Sequence, residues 1–249
     1  MRFHTTYPFG RIATVFYLLV FSLVSCSLIG QQGPTRVHPT TAPVATLIPG
    51  NGGGTGQIAL ACSAGGEHGN ADICISRLNG AGMRRLTGGP GPNVSPAWSP
   101  DGKRLAFRAA SPTIFEDSDI WIMNADGSGQ MNLTHDHQAN WGVTWSPDGK
   151  HILFNSGRDG TVPHLYVMNP DGSGLKRLCP HSTLWEEYPD WSPDGTKIAF
   201  MSNVGTTNWV IYVMNADCSG VRQLTNGPGE EQTKLMDVYG FGDGPVWQP

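Results

Sequence analysis

Histidines are the first residues in this sequence whose type and spacing suggest chemistry. Two of them flank an acid in the triplet His135-Asp136-His137, and the other loop histidines are His68, His164 and His181. Neutral imidazole is the most common transition-metal ligand in proteins, so a His-x-His pair beside an acid could bind Zn or Mn. Loop histidines are more commonly hydrated. The sequence therefore predicts no cofactor, and a metal site at His135 and His137 is the alternative.

Three tryptophans form a second candidate set, because Trp141, Trp185 and Trp209 stand among polar and acidic residues. Tryptophan joins a large apolar area to an N–H donor, so these residues could form a platform for a sugar or a peptide. The alternative is that they pack beneath the loops. The candidate binding residues are His135, His137, Trp141, His181, Trp185, Glu186 and Trp209.

The common nucleophile arrangements are missing from the sequence. It has no Gly-x-Ser-x-Gly motif, and no Ser, His and Asp residues can be grouped by spacing. We therefore predict no catalytic residues.

The elements that would position these side chains come from a repeat of about 46 residues, a period typical of propellers and solenoids. Trp-Ser-Pro-Asp-Gly occurs at Trp98–Gly102, Trp145–Gly149 and Trp191–Gly195. An alternating aliphatic and aromatic strand ending in Met-Asn follows each copy, and then a turn and a closing Leu. Pro-Asp-Gly favours a tight turn between strands. Each copy therefore predicts four short antiparallel strands, a, b, c and d, which is one propeller blade. The turn residues Asp101, Asp148 and Asp194 are interpreted as structural and not as calcium ligands.

These motifs resemble the WD40-like PD40 repeats of the TolB family over roughly residues 57–249. Similar repeats occur in oligogalacturonate lyases, which use a metal, and in propeller domains of prolyl-oligopeptidase-type peptidases. The resemblance implies an all-β propeller but says little about function, because propellers host many activities. As an expectation, the protein is a binding module, and a metal-dependent polysaccharide lyase or hydrolase using the loop histidines is the alternative.

The two ends of the repeat region complement each other. Residues 57–87 contain strands b, c and d, whereas residues 244–249 read as a lone strand a. We expect the last strand to complete the first blade and close a ring of four blades, since closure removes free edges. An open arc or part of a larger ring is the alternative. The short a–b and c–d turns should share one face, and the b–c and d–a loops should form a variable face that carries function.

The first 56 residues do not fit the repeat. Residues 1–25 combine Arg2, Arg11 and an apolar run, and Leu23–Cys26 resembles a bacterial lipoprotein processing box. We expect cleavage before Cys26 and lipidation of its sulfur, which would export the chain and anchor it to the outer side of a bacterial membrane. A plain signal peptide or an uncleaved anchor is the alternative. Residues 26–56 are rich in Pro, Thr and Gly and are predicted to be a tether to the propeller of residues 57–249.

Charge narrows the class of partner. Without the first 25 residues, 14 basic and 20 acidic residues remain, a net charge of −6. Nucleic acid needs a basic surface, so it is not an expected partner. The expected partner is an envelope protein, peptide or glycan, in addition to the membrane contact of the anchor.

The remaining cysteines bear on stability, because an exported chain can form disulfides. Cys62 and Cys74 lie on neighbouring strands of one blade and could pair. Cys179 ends strand d, whereas Cys218 lies in a c–d turn, which the repeat geometry places on the opposite face. We expect that second pair to be too far apart to bond.

Overall fold

The computed structural model describes residues 45–46, 56–63, 71–114, 117–136, 138–160, 162–203 and 209–225. All of them lie within one unit of the chain, Ala42–Pro249. They form sixteen β-strands in four antiparallel four-stranded sheets. Within this described part, no helix has the length and apolar composition needed to cross a membrane.

The sheets follow one another along the chain as four blades. Blade 1 contains β1 (Ala45–Thr46), β2 (Gln57–Ser63), β3 (Ala71–Arg77) and β4 (Arg84–Arg85). Blade 2 contains β5 (Asn93–Trp98), β6 (Arg104–Ala110), β7 (Ser118–Asn124) and β8 (Met131–Asn132). Blade 3 contains β9 (Asn140–Trp145), β10 (Ile152–Ser156), β11 (His164–Met168) and β12 (Lys176–Arg177). Blade 4 contains β13 (Glu187–Trp191), β14 (Lys197–Ser202), β15 (Val210–Asn215) and β16 (Arg222–Gln223).

The all-β, four-bladed architecture predicted from the repeat is confirmed. In blade 1 the position beside β2 is occupied by β1, which pairs Ala45 with Leu60 and Thr46 with Ala59. These two residues come from the segment predicted to be the tether. The predicted closing strand, residues 244–249, lies outside the described residues.

The Ser-Pro-Asp-Gly turns are held by the side chains that the sequence places there. In blade 2, Ser99 Oγ donates a hydrogen bond to Asp101 Oδ1 at 2.6 Å, and the backbone N–H of Lys103 donates to the same oxygen at 3.1 Å. Gly102 takes a φ of 67°, which favours glycine. These bonds hold the pKa of Asp101 below its ordinary value, with the Ser99 hydroxyl as the main cause. The acid is a turn residue, as the sequence predicts.

The core lies between consecutive blades, where three apolar clusters fill the gaps. One repeat position supplies a fully buried phenylalanine to each cluster, namely Phe107, Phe154 and Phe200. Burying such a ring contributes roughly 1.5–3 kcal/mol. The recurrence of a tryptophan at one repeat position, Trp98, Trp145, Trp191 and Trp247, predicts a place in the core. Trp98, Trp145 and Trp191 do pack in these clusters, and Trp247 lies outside the described residues.

Strand a of blades 2, 3 and 4 contains a β-bulge. The register of its pairing with strand b shifts in all three blades. The residue three positions before the repeated Trp takes a positive φ in each, 54° at Ser95, 63° at Gly142 and 48° at Tyr188. In blade 3 only glycine fits, because a Cβ on Gly142 would lie 2.2 Å from Asn155 Oδ1. The bulge changes the direction of the side chains at the start of strand a.

Both cysteine pairs form disulfides. Cys62 and Cys74 join the neighbouring strands β2 and β3, with a Cα–Cα distance of 5.8 Å. Cys179 and Cys218 also bond, with a Cα–Cα distance of 5.7 Å, so the expectation that they are too far apart is wrong.

The two cysteines meet because neighbouring blades are staggered relative to each other. The c–d turn of each blade packs against strand d of the blade before it, so the position of Gly127 lies against Leu86 and that of Gly172 against Leu133. Cys218 takes this glycine position in blade 4, with a φ of 69°. Its Sγ lies 3.3 Å from the carbonyl oxygen of Leu178, beside Cys179. The disulfide therefore links blade 3 to blade 4.

Candidate functional site

The start of strand a carries the side chains that distinguish one blade from another. The residue four positions before the repeated Trp is Val94 in blade 2, Trp141 in blade 3 and Glu187 in blade 4. These inner strands contact one another, because Thr144 Oγ1 of blade 3 donates a hydrogen bond to Asp190 Oδ1 of blade 4 at 3.2 Å. Residues that differ at this position therefore meet in space.

Glu187 is the centre of a cluster with three tryptophans. Trp185 Nε1 donates a hydrogen bond to Glu187 Oε1 at 2.5 Å, and the side chain of Trp141 is also hydrogen-bonded to this carboxyl. The rings of Trp185 and Trp209 meet edge to face, with centroids 5.8 Å apart. We call Trp141, Trp185, Glu187 and Trp209 the mouth cluster.

The three tryptophans are half-buried, whereas Glu187 is only 8% exposed. Burial raises the pKa of the Glu187 carboxyl above its ordinary value of 4.5, and the indole N–H donors oppose that rise. Burial is the larger effect, since moving a carboxylate out of water disfavours its charged form. A buried acid with a raised pKa is typical of functional sites, although structural networks also produce one.

The raised pKa predicts that Glu187→Gln stabilises the fold at alkaline pH. The folded state holds the Glu187 proton at pH values where the unfolded chain has already lost it. The contribution of Glu187 to stability is therefore greatest at acid pH and is lost as pH rises through its folded-state pKa. We expect the variant to exceed the wild type by about 1 kcal/mol at pH 8 and to match it at pH 4.

Urea unfolding of both proteins at the two pH values measures this difference, and other titrating groups cancel in the comparison. A variant that is less stable than the wild type at pH 8 would mean that the carboxylate supports the fold.

Glu186, which the sequence analysis selected as a candidate binding residue, does not belong to the mouth cluster. It is 1% exposed, and its Oε2 accepts a hydrogen bond from the backbone N–H of Leu165 at 3.1 Å. In the other three blades a threonine hydroxyl accepts the equivalent bond, from Ile73, Ile120 and Ile211 to Thr87, Thr134 and Thr225. Blade 3 has Cys179 in place of that threonine, so Glu186 supplies the missing acceptor.

The replacement of repeat residues in blade 3 also explains the position of His164. It takes the strand position of the buried acids Asp72 and Asp119, and its Nδ1 lies 3.6 Å from Glu186 Oε2. Burial lowers the pKa of His164, Arg177 lowers it further, and Glu186 opposes both. His164 and Glu186 thus replace an Asp–Thr pair, and they connect blade 3 to blade 4.

The predicted site residues His135 and His181 do not belong to the mouth cluster. His135 is exposed and has a φ of 51°, and its backbone N–H donates to Asn132 Oδ1 at 3.1 Å. His181 is exposed, and His137 lies outside the described residues. Among the residues that the structure describes, no three His, Cys, Asp or Glu side chains are grouped so that they could hold a metal.

The structure thus brings together Trp141, Trp185 and Trp209 from the sequence-predicted set and adds Glu187, which sequence reasoning missed. A signal for Glu187 exists in the repeat. Position 186 aligns with Asn93 and Asn140, which are both buried, whereas position 187 aligns with the half-buried Val94 and Trp141. Alignment within the repeat therefore gives the two glutamates different positions, and the structure decides which of them lies in the cluster.

Comparison with known proteins identifies the family. Residues 65–236 match the family model PD40, described as the TolB beta propeller domain. The chain belongs to this TolB propeller family. No curated protein matches it.

Solved structures of TolB proteins resemble this TolB-family propeller. A TolB-like protein from Agrobacterium tumefaciens is 27% identical with a TM-score of 0.62, and the match covers 77% of this chain and 66% of the other. TolB from Acinetobacter baumannii is 25% identical with a TM-score of 0.58, and the match covers 68% of this chain and 41% of the other. The chain therefore spans less than two thirds of the length of these proteins.

An oligogalacturonate lyase in complex with manganese is 14% identical with a TM-score of 0.51, and the match covers 70% of this chain and 51% of the lyase. At this identity the likeness shows the fold alone. TolB proteins and the lyase share this propeller fold, so the fold by itself does not distinguish a binding module from an enzyme.

Proposed function

We propose that this protein is an exported, lipid-anchored binding module that docks an envelope partner on its variable face. The observation that supports the docking surface is the mouth cluster, where two half-buried tryptophans are hydrogen-bonded to a buried acid and a third, Trp209, packs against Trp185. Tryptophans in such settings dominate binding energy at interfaces. Among protein, peptide and glycan partners, the family resemblance favours a protein.

Export is supported by two features of this chain. The segment Leu23–Cys26 has the pattern of a lipoprotein processing site. The two disulfides, Cys62–Cys74 and Cys179–Cys218, are of the kind that persists in oxidising compartments. In this proposal Cys26 carries the lipid, and the segment between Cys26 and β1 holds the propeller away from the membrane.

Affinity capture tests the docking surface. The full chain, purified in detergent, is used to capture partners from a membrane-envelope extract, and the affinity of the captured protein is then measured. We expect Trp209→Ala to weaken binding by 30-fold or more, which corresponds to a hot-spot loss of at least about 2 kcal/mol. Trp209→Phe should restore part of the affinity, because it keeps an aromatic ring.

The matched control is Asp171→Asn, an exposed change in a c–d turn away from the mouth cluster. It should leave the affinity unchanged. A partner that is lost with Asp171→Asn but retained with Trp209→Ala would place the interface on the turns and overturn the proposal. Capture of no protein, together with a stoichiometric metal in the purified chain, would favour a lyase instead.

A further inference from the structure

The mouth cluster contains a buried carboxyl group that the described part of the fold leaves without a cation. Glu187 accepts hydrogen bonds from two indoles, but within the described residues no Lys, Arg or His forms an ion pair with it. Other described acids do have such partners; Asp72 pairs with Arg85 and Asp136 with Arg158, for example. A buried carboxylate without a cation is costly, and an incoming cation would lower that cost.

The aromatic side chains beside Glu187 suit the same kind of ligand. Trp185 and Trp209 meet edge to face, and both remain partly exposed. Tryptophan faces attract guanidinium and ammonium groups more strongly than the other aromatic rings do. An acid that lies behind tryptophans therefore offers a cation both a charge partner and a ring face.

The chain contains another group of aromatic rings and an acid in which a cation, the Arg158 guanidinium, is already bound. The guanidinium of Arg158 lies 4.6 Å from the ring centroid of Tyr166 and 5.5 Å from that of Phe154. The same guanidinium pairs with Asp136 at 2.9 Å. In this filled example an arginine is held between aromatic rings and an acid. At the mouth cluster the rings and the acid come from the chain, and the arginine would come from outside.

Charge on the whole molecule favours the same partner. Without the first 25 residues the chain carries a net charge of −6, which attracts basic segments and speeds their encounter. A neutral sugar would stack on tryptophan but would not offset the buried charge of Glu187.

We propose that the mouth cluster binds an arginine side chain presented by a basic segment of a partner protein. This rests on the proposed docking function and names the chemistry of its ligand. The guanidinium pairs with Glu187 and lies against the exposed tryptophan faces.

The test uses the full chain in detergent and a minimal probe, the acetylated and amidated tripeptide Gly-Arg-Gly. Its control is the same peptide with citrulline, which has nearly the same shape and no charge. Binding is followed by the change in tryptophan fluorescence. We expect the arginine peptide to bind at least tenfold more tightly than the citrulline peptide.

Variants assign the binding to the cluster. Glu187→Gln should weaken arginine-peptide binding at least tenfold, and Trp209→Ala should weaken it as well, with partial rescue by Trp209→Phe. Asp171→Asn removes the same charge elsewhere and should change binding less than twofold. Thermal unfolding of each variant confirms that it is folded, and the two independent sites keep the test valid if one variant fails to fold.

Three results would overturn the proposal. These are equal binding of the arginine and citrulline peptides, wild-type affinity in Glu187→Gln, and equal losses in Glu187→Gln and Asp171→Asn. Neutral oligosaccharides that bind this cluster in place of the arginine peptide would point to a glycan. If capture yields a partner that depends on Trp209 but the arginine peptide does not bind, only this inference fails and the docking function stands.

Discussion

Replacing Cys179 with alanine and Cys218 with glycine is expected to lower the free energy of unfolding by about 4 kcal/mol. The disulfide closes a loop of 39 residues, and constraining a loop of that length in the unfolded chain contributes about 4 kcal/mol in the chain-entropy account. Glycine is chosen at position 218 because the backbone there has a φ of 69°. The variant therefore removes the cross-link without adding backbone strain.

Equilibrium urea unfolding under oxidising conditions measures this loss. Two controls isolate the cross-link. Wild-type protein unfolded in the presence of a reductant should approach the stability of the variant, once the smaller effect of Cys62–Cys74 has been subtracted with a variant of that pair. Removing the Cys62–Cys74 bond, which closes only 12 residues, should cost about 3 kcal/mol. A double variant as stable as the oxidised wild type would show that Cys179 and Cys218 are not bonded.

Asp72→Ala is expected to cost about 3 kcal/mol, because a fully buried acceptor is removed from beneath several donors. Asp72 Oδ1 accepts hydrogen bonds from Thr87 Oγ1 and Asn93 Nδ2, both at 3.1 Å. Its other oxygen pairs with Arg85. Thr87 and Asn93 are themselves buried, so water cannot replace the lost acceptor without opening the contact between blades 1 and 2.

Two matched variants separate the hydrogen bonds from the ion pair. Asp72→Asn keeps one oxygen acceptor and should cost less than Asp72→Ala. Arg85→Gln should cost under about 1 kcal/mol, because the Arg85 side chain is 47% exposed and solvent screens its charge. Thermal and urea unfolding measure all three. If Arg85→Gln proves as damaging as Asp72→Ala, the ion pair and not the hydrogen-bond network holds the two blades together.

Asp72 and the Cys179–Cys218 disulfide lie at equivalent junctions between neighbouring blades. Between blades 1 and 2 the junction is the hydrogen-bonded set around Asp72. Between blades 3 and 4 the Asp and the Thr are replaced by His164 and Cys179, and the contact is made by Glu186 and by the disulfide to Cys218. At this junction Glu186 supplies the acceptor that the threonine supplies in the other blades. This exchange explains why Glu186 belongs to the blade junction and Glu187 to the candidate site.

Local pattern alone determined the fold of this protein. Tight turns such as Pro100-Asp101-Gly102 depend on the φ preferences of proline and glycine and on hydrogen bonds within a few residues. Strand alternation and the 46-residue recurrence can likewise be recognised along the chain, and together they predicted four-stranded blades and the packing of Trp98, Trp145 and Trp191 in the core. The candidate tryptophans could be selected in the same way, because they depart from the repeat.

Only the tertiary structure decided which residues from different blades meet. The contact of Cys218 with Cys179 depends on the stagger of one blade against the next, and no pattern within a single blade contains that offset. The choice between Glu186 and Glu187 depends on the bulge in strand a, which turns adjacent side chains towards different neighbours. The raised pKa of Glu187 likewise follows from burial, and Trp141 becomes its neighbour only when blades 3 and 4 pack together.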